Sequence, residues 1–141
     1  MLRVSAPELI SEPRINLSRY FFMSSLQKLT NSELLSETST LAHEERRITV
    51  EILHRLREIE RRKAYAGLGY RSLNEYAVKH LHYSEGSTHR RISAMLALRD
   101  APGLIPKIES GETSVTAIAR IQTTIRAEEK LTREKWSVDE K

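Results

Sequence analysis

Cysteine is absent from this sequence, and aromatic residues are scarce, with two Phe, one Trp and five Tyr among 141 residues. The absence of cysteine excludes disulfide bonds, thiolate catalysis and zinc sites with thiolate ligands. No apolar run approaches the roughly 20 residues that a membrane-spanning helix needs. The N-terminus also lacks the basic start and apolar stretch of a secretory signal. We therefore expect a cytoplasmic protein with no membrane segment.

Glycine and proline are also few, nine residues together, whereas 39% of the residues are hydrophobic and 30% are charged. This balance is typical of a helical protein with a modest core of Leu and Ile and with solvated faces. No segment alternates apolar and polar residues as a strand would. We predict an all-α fold in which a long N-terminal helix is followed by a helix-turn-helix and further short helices.

One helical, helix-turn-helix-like domain is expected, over residues 26–130. Residues 1–25 contain two prolines and no sustained periodicity, and we interpret them as a flexible extension. Met23 directly precedes the first organised segment and offers an alternative start of translation. Residues 131–141 are interpreted as a charged, loosely organised tail.

Positive charge is gathered in one stretch of the chain. Residues 32–60 hold seven acidic and four basic residues, a net charge of −3, whereas residues 61–91 hold seven basic and two acidic residues, a net charge of +5. The whole chain has a net charge of +4. Because phosphates attract such a local block of positive charge, the distribution indicates a nucleic-acid partner more strongly than the total charge does.

The first helix is predicted to begin at Asn31, a favourable N-cap residue, and no Pro or Gly interrupts it before Gly67. Its stripe recurs at spacings of three, four or seven residues and comprises Leu34, Thr38, Leu41, Ile48, Ile52, Leu56 and Ile59. A helix of roughly 30 residues is about 45 Å long, which is longer than the compact remainder needs. We therefore predict a homodimer through residues 31–63. The alternative is a break near residues 39–43 that folds the segment back as a hairpin.

Two short helices with a tight turn between them are predicted next. Residues 67–70 form a turn, after which Ser72 caps a helix, with Glu75 three residues on as in a capping box. A second break at residues 82–84 leads to another helix, which Ser84 caps. Two capped helices joined in this way predict a helix-turn-helix. The remaining helices are expected around residues 104–110, closing on Gly111, and from a cap at Ser114.

The second helix of the pair carries the candidate DNA-reading surface. Its buried face is expected to hold Thr88, Ile92, Met95 and Leu96. With Ile92 at the centre of that face, a rotation of 100° per residue gives the opposite side of the helix. That side holds Ser87, Arg90 and Ala94, and its flanks hold Arg91 and Ser93. The small residues Gly86 and Ser87 permit the backbone to approach a groove closely.

The candidate site residues follow from the chemistry of a DNA duplex. Arg90 is the candidate for a base-edge contact, because a guanidinium group pairs bidentately with guanine in the major groove. Arg91 and Arg71 are candidates for phosphate contacts, as are the free amides of the helix N-terminus at Ser84. The predicted nucleic-acid-binding residues are Arg71, Ser84, Ser87, His89, Arg90 and Arg91. The expected partner is double-stranded DNA.

Five segments follow one another along the chain: Leu-Thr-Asn-Ser-Glu-Leu-Leu (29–35), Glu-Arg-Arg-Ile-Thr (45–49), Gly-Tyr-Arg-Ser-Leu-Asn-Glu-Tyr (69–76), Tyr-Ser-Glu-Gly-Ser-Thr-His-Arg-Arg-Ile (83–92) and Ile-Glu-Ser-Gly-Glu-Thr-Ser (108–114). In this order and spacing they resemble the N-terminal helical domain of bacterial HNH-endonuclease-like proteins, over roughly residues 26–127. Residues 84–121 are also loosely similar to the helix-turn-helix of ParB-type partition proteins. The resemblance implies a helical accessory domain that binds DNA.

Two departures from the nuclease family bear on function. The residue before Tyr83 is usually Gly in that family, whereas here it is His82, so we expect a different backbone conformation in the turn. The catalytic part is also missing, since an HNH site is a ββα unit that holds a metal and a general base through His and Asn residues. The three Asn of this chain, at positions 16, 31 and 74, have no such context. The resemblance therefore implies the accessory domain without its nuclease, and we expect no enzyme activity from this chain alone.

Other chemistries find little support in the sequence. His80, His82 and His89 could ligate a metal, but residues two apart on a helix diverge, and we interpret the three as surface or turn histidines. No Gly-x-Ser-x-Gly elbow or Gly-rich phosphate loop is present, so no cofactor is expected. Two alternatives to a DNA-binding module stay open: a protein-interaction scaffold that uses the long amphipathic helix, and a nuclease subunit that cuts only with a separate catalytic partner.

Overall fold

The computed structural model describes residues 25–139, with side chains described up to residue 133. This part of the chain is all-α and contains no strand, as predicted. Most of the predicted extension, residues 1–24, lies outside the described residues. The helices are α1 (Asn31–Arg62), α2 (Leu73–Lys79), α3 (Glu85–Asp100), α4 (Ile105–Ser110) and α5 (Val115–Asp139), with short 3₁₀ segments at Ala64–Leu68 and Pro102–Leu104. None of the described helices has both the length and the apolar character that crossing a membrane requires.

The predicted long N-terminal helix is confirmed as α1, a single helix of 32 residues. The hairpin alternative, with a break near residues 39–43, is therefore wrong. The chain divides into two compact units, residues 1–39 and residues 40–141. The described part of the first unit is the start of α1 and the residues that cap it, and the second unit contains the core.

The N-cap of α1 is Thr30 and not the predicted Asn31. The Thr30 hydroxyl accepts a hydrogen bond from the backbone amide of Glu33 at 3.2 Å. In return, the Glu33 carboxylate accepts one from the backbone amide of Thr30 at 2.8 Å. This is a reciprocal capping box. Thr and Asn are both good caps, so the glutamate three residues after Thr30 was the signal that decides between them.

The core of the second unit surrounds α3. Full burial of a Leu or Ile side chain contributes about 1.5–3 kcal/mol to stability, so the large buried residues carry most of the packing energy. All five helices supply buried side chains, among them Val50, Leu53, Leu56, Leu73, Ala94, Met95, Leu98, Ile108 and Ile118. The core is modest and built mainly from Leu and Ile, as the composition predicts.

α1 buries only part of the predicted stripe, since Leu56 is buried and Ile52 and Ile59 are partly buried against the core. Val50 and Leu53 are fully buried although the prediction omitted both, whereas Ile48 is exposed. Leu56 belongs to the predicted stripe and is buried. Spacing alone could not choose between two overlapping apolar faces of α1, because that choice depends on where α3 packs. One apolar face of α1 is consequently left in contact with solvent.

α3 is the central helix of this core and packs along α5 and against α2. Ala94 is 0% exposed and Ser93 is also buried, so the prediction of an accessible side at these two positions was wrong. Ile92, the predicted centre of the buried face, is only partly buried. Small side chains at Ser93 and Ala94 allow a neighbouring helix to approach closely. Residues 93–98 of α3 are therefore enclosed or partly enclosed by protein, whereas its first two turns have an open side.

The turn between α2 and α3 passes through His82, whose φ is +57°. This left-handed conformation costs a residue with a Cβ about 1 kcal/mol, and glycine adopts it freely. His82 thus has a backbone conformation that glycine adopts without strain. The backbone amide of Tyr83 then donates to the carbonyl oxygen of Ala77 at 3.1 Å, which fixes the start of α3.

The last two helices begin and end largely as predicted. α4 is followed by Gly111, whose φ is +82°, the usual conformation of a glycine after a helix. Ser114 caps α5, since its hydroxyl accepts a hydrogen bond from the amide of Ala117 at 3.1 Å. α5 continues to Asp139, so residues 131–139 are helical, in contrast to the loosely organised tail that we expected there.

Candidate nucleic-acid interface

The open end of α3 is built by its N-cap. The Ser84 hydroxyl accepts a hydrogen bond from the backbone amide of Ser87 at 3.2 Å, as the capping prediction required. Ser84, Glu85 and Gly86 are exposed, whereas Thr88 points into the core. Because the side chains of residues 93–98 are buried or partly buried, the open surface at this end of α3 is two turns long.

Arg90 lies exposed on this open side. Its Nη1 atom is 3.5 Å from the point that a Cβ atom on Gly86 would occupy, so the side chain runs back over the first turn of α3. Arg90 has no ion-pair partner among the side chains that the structure describes. Its guanidinium group is therefore free to donate hydrogen bonds to a ligand.

Arg91 is held by its own neighbourhood. Its guanidinium carbon lies 4.3 Å from the centre of the Tyr83 ring, and its Nη1 donates a hydrogen bond to the hydroxyl of Ser87. The residue is half-buried, and its Nε is buried without a hydrogen-bond partner among the described residues. Ser87 thus positions Arg91 and is itself only half-exposed.

His89 and Arg90 share a shallow cavity of about 370 Å³ between α3 and α5. Arg120 of α5 lines the same cavity, together with Ala119, Thr123 and Thr124. The cavity therefore brings a third basic side chain to the exposed histidine and arginine of α3. Sequence analysis missed Arg120, because nothing in the pattern of α5 indicated that this residue faces α3.

Arg71 directly precedes Ser72, the N-cap of α2. Its backbone amide donates to a carboxylate oxygen of Glu75 at 2.8 Å, and its exposed side chain has no ion-pair partner within the described part of the chain. Glu75 also receives a hydrogen bond from Lys79, and this bond, with the Arg71 amide, lowers the pKa of the Glu75 carboxyl. Arg71 lines neither of the cavities that Arg90 lines, so the structure separates it from the other predicted residues.

A second residue that sequence analysis missed is Arg46 of α1. Its Nε donates to the backbone carbonyl oxygen of Glu109 at 3.1 Å, and its guanidinium carbon lies 3.3 Å from where a Cβ on Gly111 would be. Arg46 and Glu109 are 63 positions apart, so no local pattern could reveal this contact. The contact brings Arg46 to a cleft that Arg90 and Arg91 also line.

Ion pairs divide the basic side chains into two groups. Those with an acidic partner are Arg47, Arg55, Arg61, Arg62, Lys63, Lys79, Arg99 and Lys107. Glu58, for example, accepts hydrogen bonds from Arg61 and Arg62, which lower its pKa to about 2. By contrast, Arg46, Arg90, Arg91 and Arg120 are without an acidic partner in the region with described side chains. Much of the positive block seen in the sequence is therefore neutralised. Four of the arginines that form no ion pair with a described side chain lie around the start of α3, whereas Arg57, Arg71 and Arg126 lie elsewhere.

The histidines considered as metal ligands lie in different settings. His80 stacks on the ring of Tyr76, with the ring centres 5.1 Å apart, and its Nδ1 is 3.4 Å from the hydroxyl of Tyr70. His82 lies in the turn and His89 on the open side of α3. Among the described residues, no group of three or more His, Asp or Glu side chains could hold a metal ion.

Comparison of the chain with protein-family models, with curated proteins and with solved structures finds no match. Function is therefore inferred from the geometry and charge of the site.

Proposed function

We propose that this chain is a cytoplasmic DNA-binding module that places the first two turns of α3 in the major groove of a duplex. The observation that carries the proposal is the group of unpaired arginines around that end of α3, namely Arg46, Arg90, Arg91 and Arg120. Guanidinium groups that no carboxylate engages are available to phosphates and to base edges.

The proposed contacts differ in kind. Arg90, on the open side of α3 and beside a glycine, reads a base edge, most favourably the O6 and N7 of guanine. Arg120 and His89 flank it on the side of α5 and contact phosphates, and Arg71 does so from α2. The capped N-terminus at Ser84 adds backbone amides for a further phosphate.

A mobility-shift titration of labelled duplex tests the proposal. We expect Arg90→Gln to weaken binding by about tenfold or more, because one bidentate base contact contributes about 1–3 kcal/mol of discrimination. Arg47→Gln is the matched control, since it removes the same charge from an arginine that Glu44 already engages. Equal affinities of the two variants would contradict the assignment of α3.

Salt dependence is a second measurement on the same complex. The arginines assigned to phosphates are Arg46, Arg71, Arg91 and Arg120, and four such contacts give a slope of log K against log salt of roughly −3 to −4. An affinity that does not change between about 50 and 200 mM salt would exclude phosphate contacts as its source.

By its resemblance to HNH-endonuclease-like proteins, we propose that the module is an accessory domain without nuclease activity of its own. A plasmid-nicking assay with magnesium or manganese tests this. We expect no cutting by the purified chain, and cutting only when a catalytic partner is supplied. Metal-dependent nicking by the chain alone would overturn this part of the proposal.

A second candidate function, protein interaction or homodimerisation through residues 31–63, is favoured by the solvent-facing side of α1. Leu41 and Ile48 are 64% and 54% exposed, and their spacing of seven residues puts them on one helix face. We expect light scattering to give a dimer for the native chain and a monomer for Leu41→Lys combined with Ile48→Lys. Leu131→Lys, at an exposed leucine of α5, is the control. A native chain that stays monomeric would exclude the dimer.

A further inference from the structure

A cleft of about 550 Å³ lies between α1, the start of α3 and the first turn of α5. Most of its lining residues are polar, with four charged side chains and several hydroxyl groups. The charged members are Arg46, Arg90, Arg91 and Glu45. Three guanidinium groups against one carboxylate give the cleft an excess of positive charge.

Two of these arginines are fixed in place before any ligand binds. Arg46 is anchored through its Nε to the carbonyl oxygen of Glu109 at 3.1 Å. Arg91 is anchored through its stacking on Tyr83 and its hydrogen bond to Ser87. An anchored guanidinium loses little side-chain freedom when it binds an oxyanion, and the anchoring bond of Arg46 uses only its Nε, so that its two Nη groups remain as donors.

The positive charge of the cleft is only partly balanced by the protein, since Glu45 is the one carboxylate of its lining. Neither Arg46 nor Arg91 forms an ion pair with a side chain that the structure describes, although both residues are half-buried. A cation that has lost part of its hydration is stabilised by a nearby anion. The buried and unpartnered Nε of Arg91 marks the place where such compensation is missing.

The wall opposite these arginines suits an anion as well. It is the first turn of α5, where Ser114, Val115 and Thr116 line the cleft. The first amides of a helix have no acceptor within the helix, and the helix dipole favours negative charge at this end. The hydroxyls of Ser114 and Thr116 add further donors.

We propose that this cleft binds a single phosphate group, held by the guanidinium groups of Arg46 and Arg91 against the first turn of α5, with the exposed Arg90 adding positive charge at its rim. The inference rests on the proposed function for the source of the phosphate, which is then the backbone of the duplex. The cleft itself is testable without DNA. A free phosphate, such as inorganic phosphate or the terminal group of a nucleotide, has the same chemistry.

The test of the cleft is an NMR titration of the full chain with inorganic phosphate, with chloride adjusted to keep the ionic strength constant. We expect saturable shifts of the backbone amides of residues 114–116. Arg46→Gln weakens this binding by about fivefold or more, as the loss of a charge-assisted hydrogen bond requires, and Arg47→Gln leaves it within about twofold. Absence of saturable shifts in the native chain, or equal behaviour of the two variants, overturns the inference.

Two further variants keep the test decisive. Glu45→Gln removes the one carboxylate of the lining, so it tightens phosphate binding, whereas a cleft that holds no anion does not respond to it. Arg90→Gln changes an exposed side chain and serves if Arg46→Gln fails to fold, as circular dichroism will reveal. Both variants are compared with the native chain in the same titration.

Duplex binding by the same variants distinguishes the sources of the phosphate. If the source is the DNA backbone, Arg46→Gln weakens duplex binding for all sequences and reduces the salt slope by about one. If the native chain binds inorganic phosphate but no duplex, the proposed function fails and the cleft stands as a site for free phosphate. If duplex binds and inorganic phosphate does not, the cleft inference alone fails.

Discussion

The guanidinium carbon of Arg91 lies 4.3 Å from the centre of the Tyr83 ring, in a cation–π contact with the face of that ring. Tyr83 belongs to the turn before α3. The contact joins the turn to the second turn of α3. It also keeps the Arg91 side chain half-buried beside Ser87, whereas Arg90 is a free cation on the surface. Tyr83 is therefore a positioning residue for the candidate interface.

Replacing Tyr83 tests this contact. We expect Tyr83→Leu to lower the free energy of unfolding by about 1 kcal/mol, the typical strength of a partly buried cation–π contact. Tyr83→Phe keeps the aromatic ring and should stay within about 0.5 kcal/mol of the native chain. Urea denaturation measures both. An equal loss of stability in both variants would show that the hydroxyl of Tyr83 stabilises the fold and that the contact of its ring with Arg91 does not.

The left-handed conformation of His82 gives a second prediction. We expect His82→Val to lower the free energy of unfolding by about 1 kcal/mol, because a β-branched residue is strained at positive φ. His82→Gly relieves the strain but adds freedom to the unfolded chain, so its stability should equal the native value or exceed it by about 0.5 kcal/mol. Thermal denaturation ranks the three proteins. A valine variant as stable as the native chain would rule out strain at this turn.

The hydroxyl of Thr88 is buried without a hydrogen-bond partner in the described part of the chain, in a side chain that is 0% exposed. An unsatisfied buried hydroxyl costs stability, so Thr88→Val should raise the free energy of unfolding by about 1 kcal/mol. Thr88→Ser keeps the hydroxyl and removes a buried methyl group, and should lower it by about 1 kcal/mol. Chemical denaturation distinguishes them, and a destabilised valine variant would reveal a partner for the hydroxyl.

The carboxyl of Glu58 titrates at low pH because of its two arginines. Hydrogen bonds from Arg61 and Arg62 lower its pKa from the ordinary value of 4.5 to about 2. A lowered pKa in the folded state means that Glu58 stabilises the fold above about pH 4.5, and that this contribution disappears as the pH falls towards 2. The carboxyl carbon of Glu58 in an NMR pH titration should give a midpoint near 2.

Salt and a substitution provide the controls for that titration. Because Glu58 is at the surface, a high salt concentration should move its midpoint back towards 4.5. Glu58→Gln removes this part of the pH dependence, so its stability should fall less between pH 4.5 and 2 than that of the native chain. A midpoint near 4.5 at low salt would show that the ion pairs do not persist in solution.

The parts of the fold that the sequence predicts are those that local chemistry decides. Ser72, Ser84 and Ser114 cap their helices as predicted, because a cap requires only a side-chain oxygen and an amide three residues on. Even the misplaced cap at the start of α1 is local, since Glu33 identifies Thr30. The all-α class follows from the same short-range patterns.

Long-range packing determines the parts of the fold and of the candidate site that could not be predicted from the sequence. Burial of Ala94 and Ser93 depends on how α5 lies along α3, and a helix wheel contains no information about a neighbouring helix. Arg46 joins the candidate site only through the carbonyl oxygen of Glu109, 63 positions away. The predicted arginines at 90 and 91 do line one cleft, but the residue that completes its positive lining was found only in three dimensions.

α3 holds Arg90 in its open first turns and Ala94 in the middle of the core, one helical turn apart. Any molecule that binds those first turns must release them before α3 can separate from α5. Binding at this surface therefore raises the free energy of global opening by mass action. Amide hydrogen exchange should slow in α5 as well as in α3, although α5 would touch the ligand only at its near end.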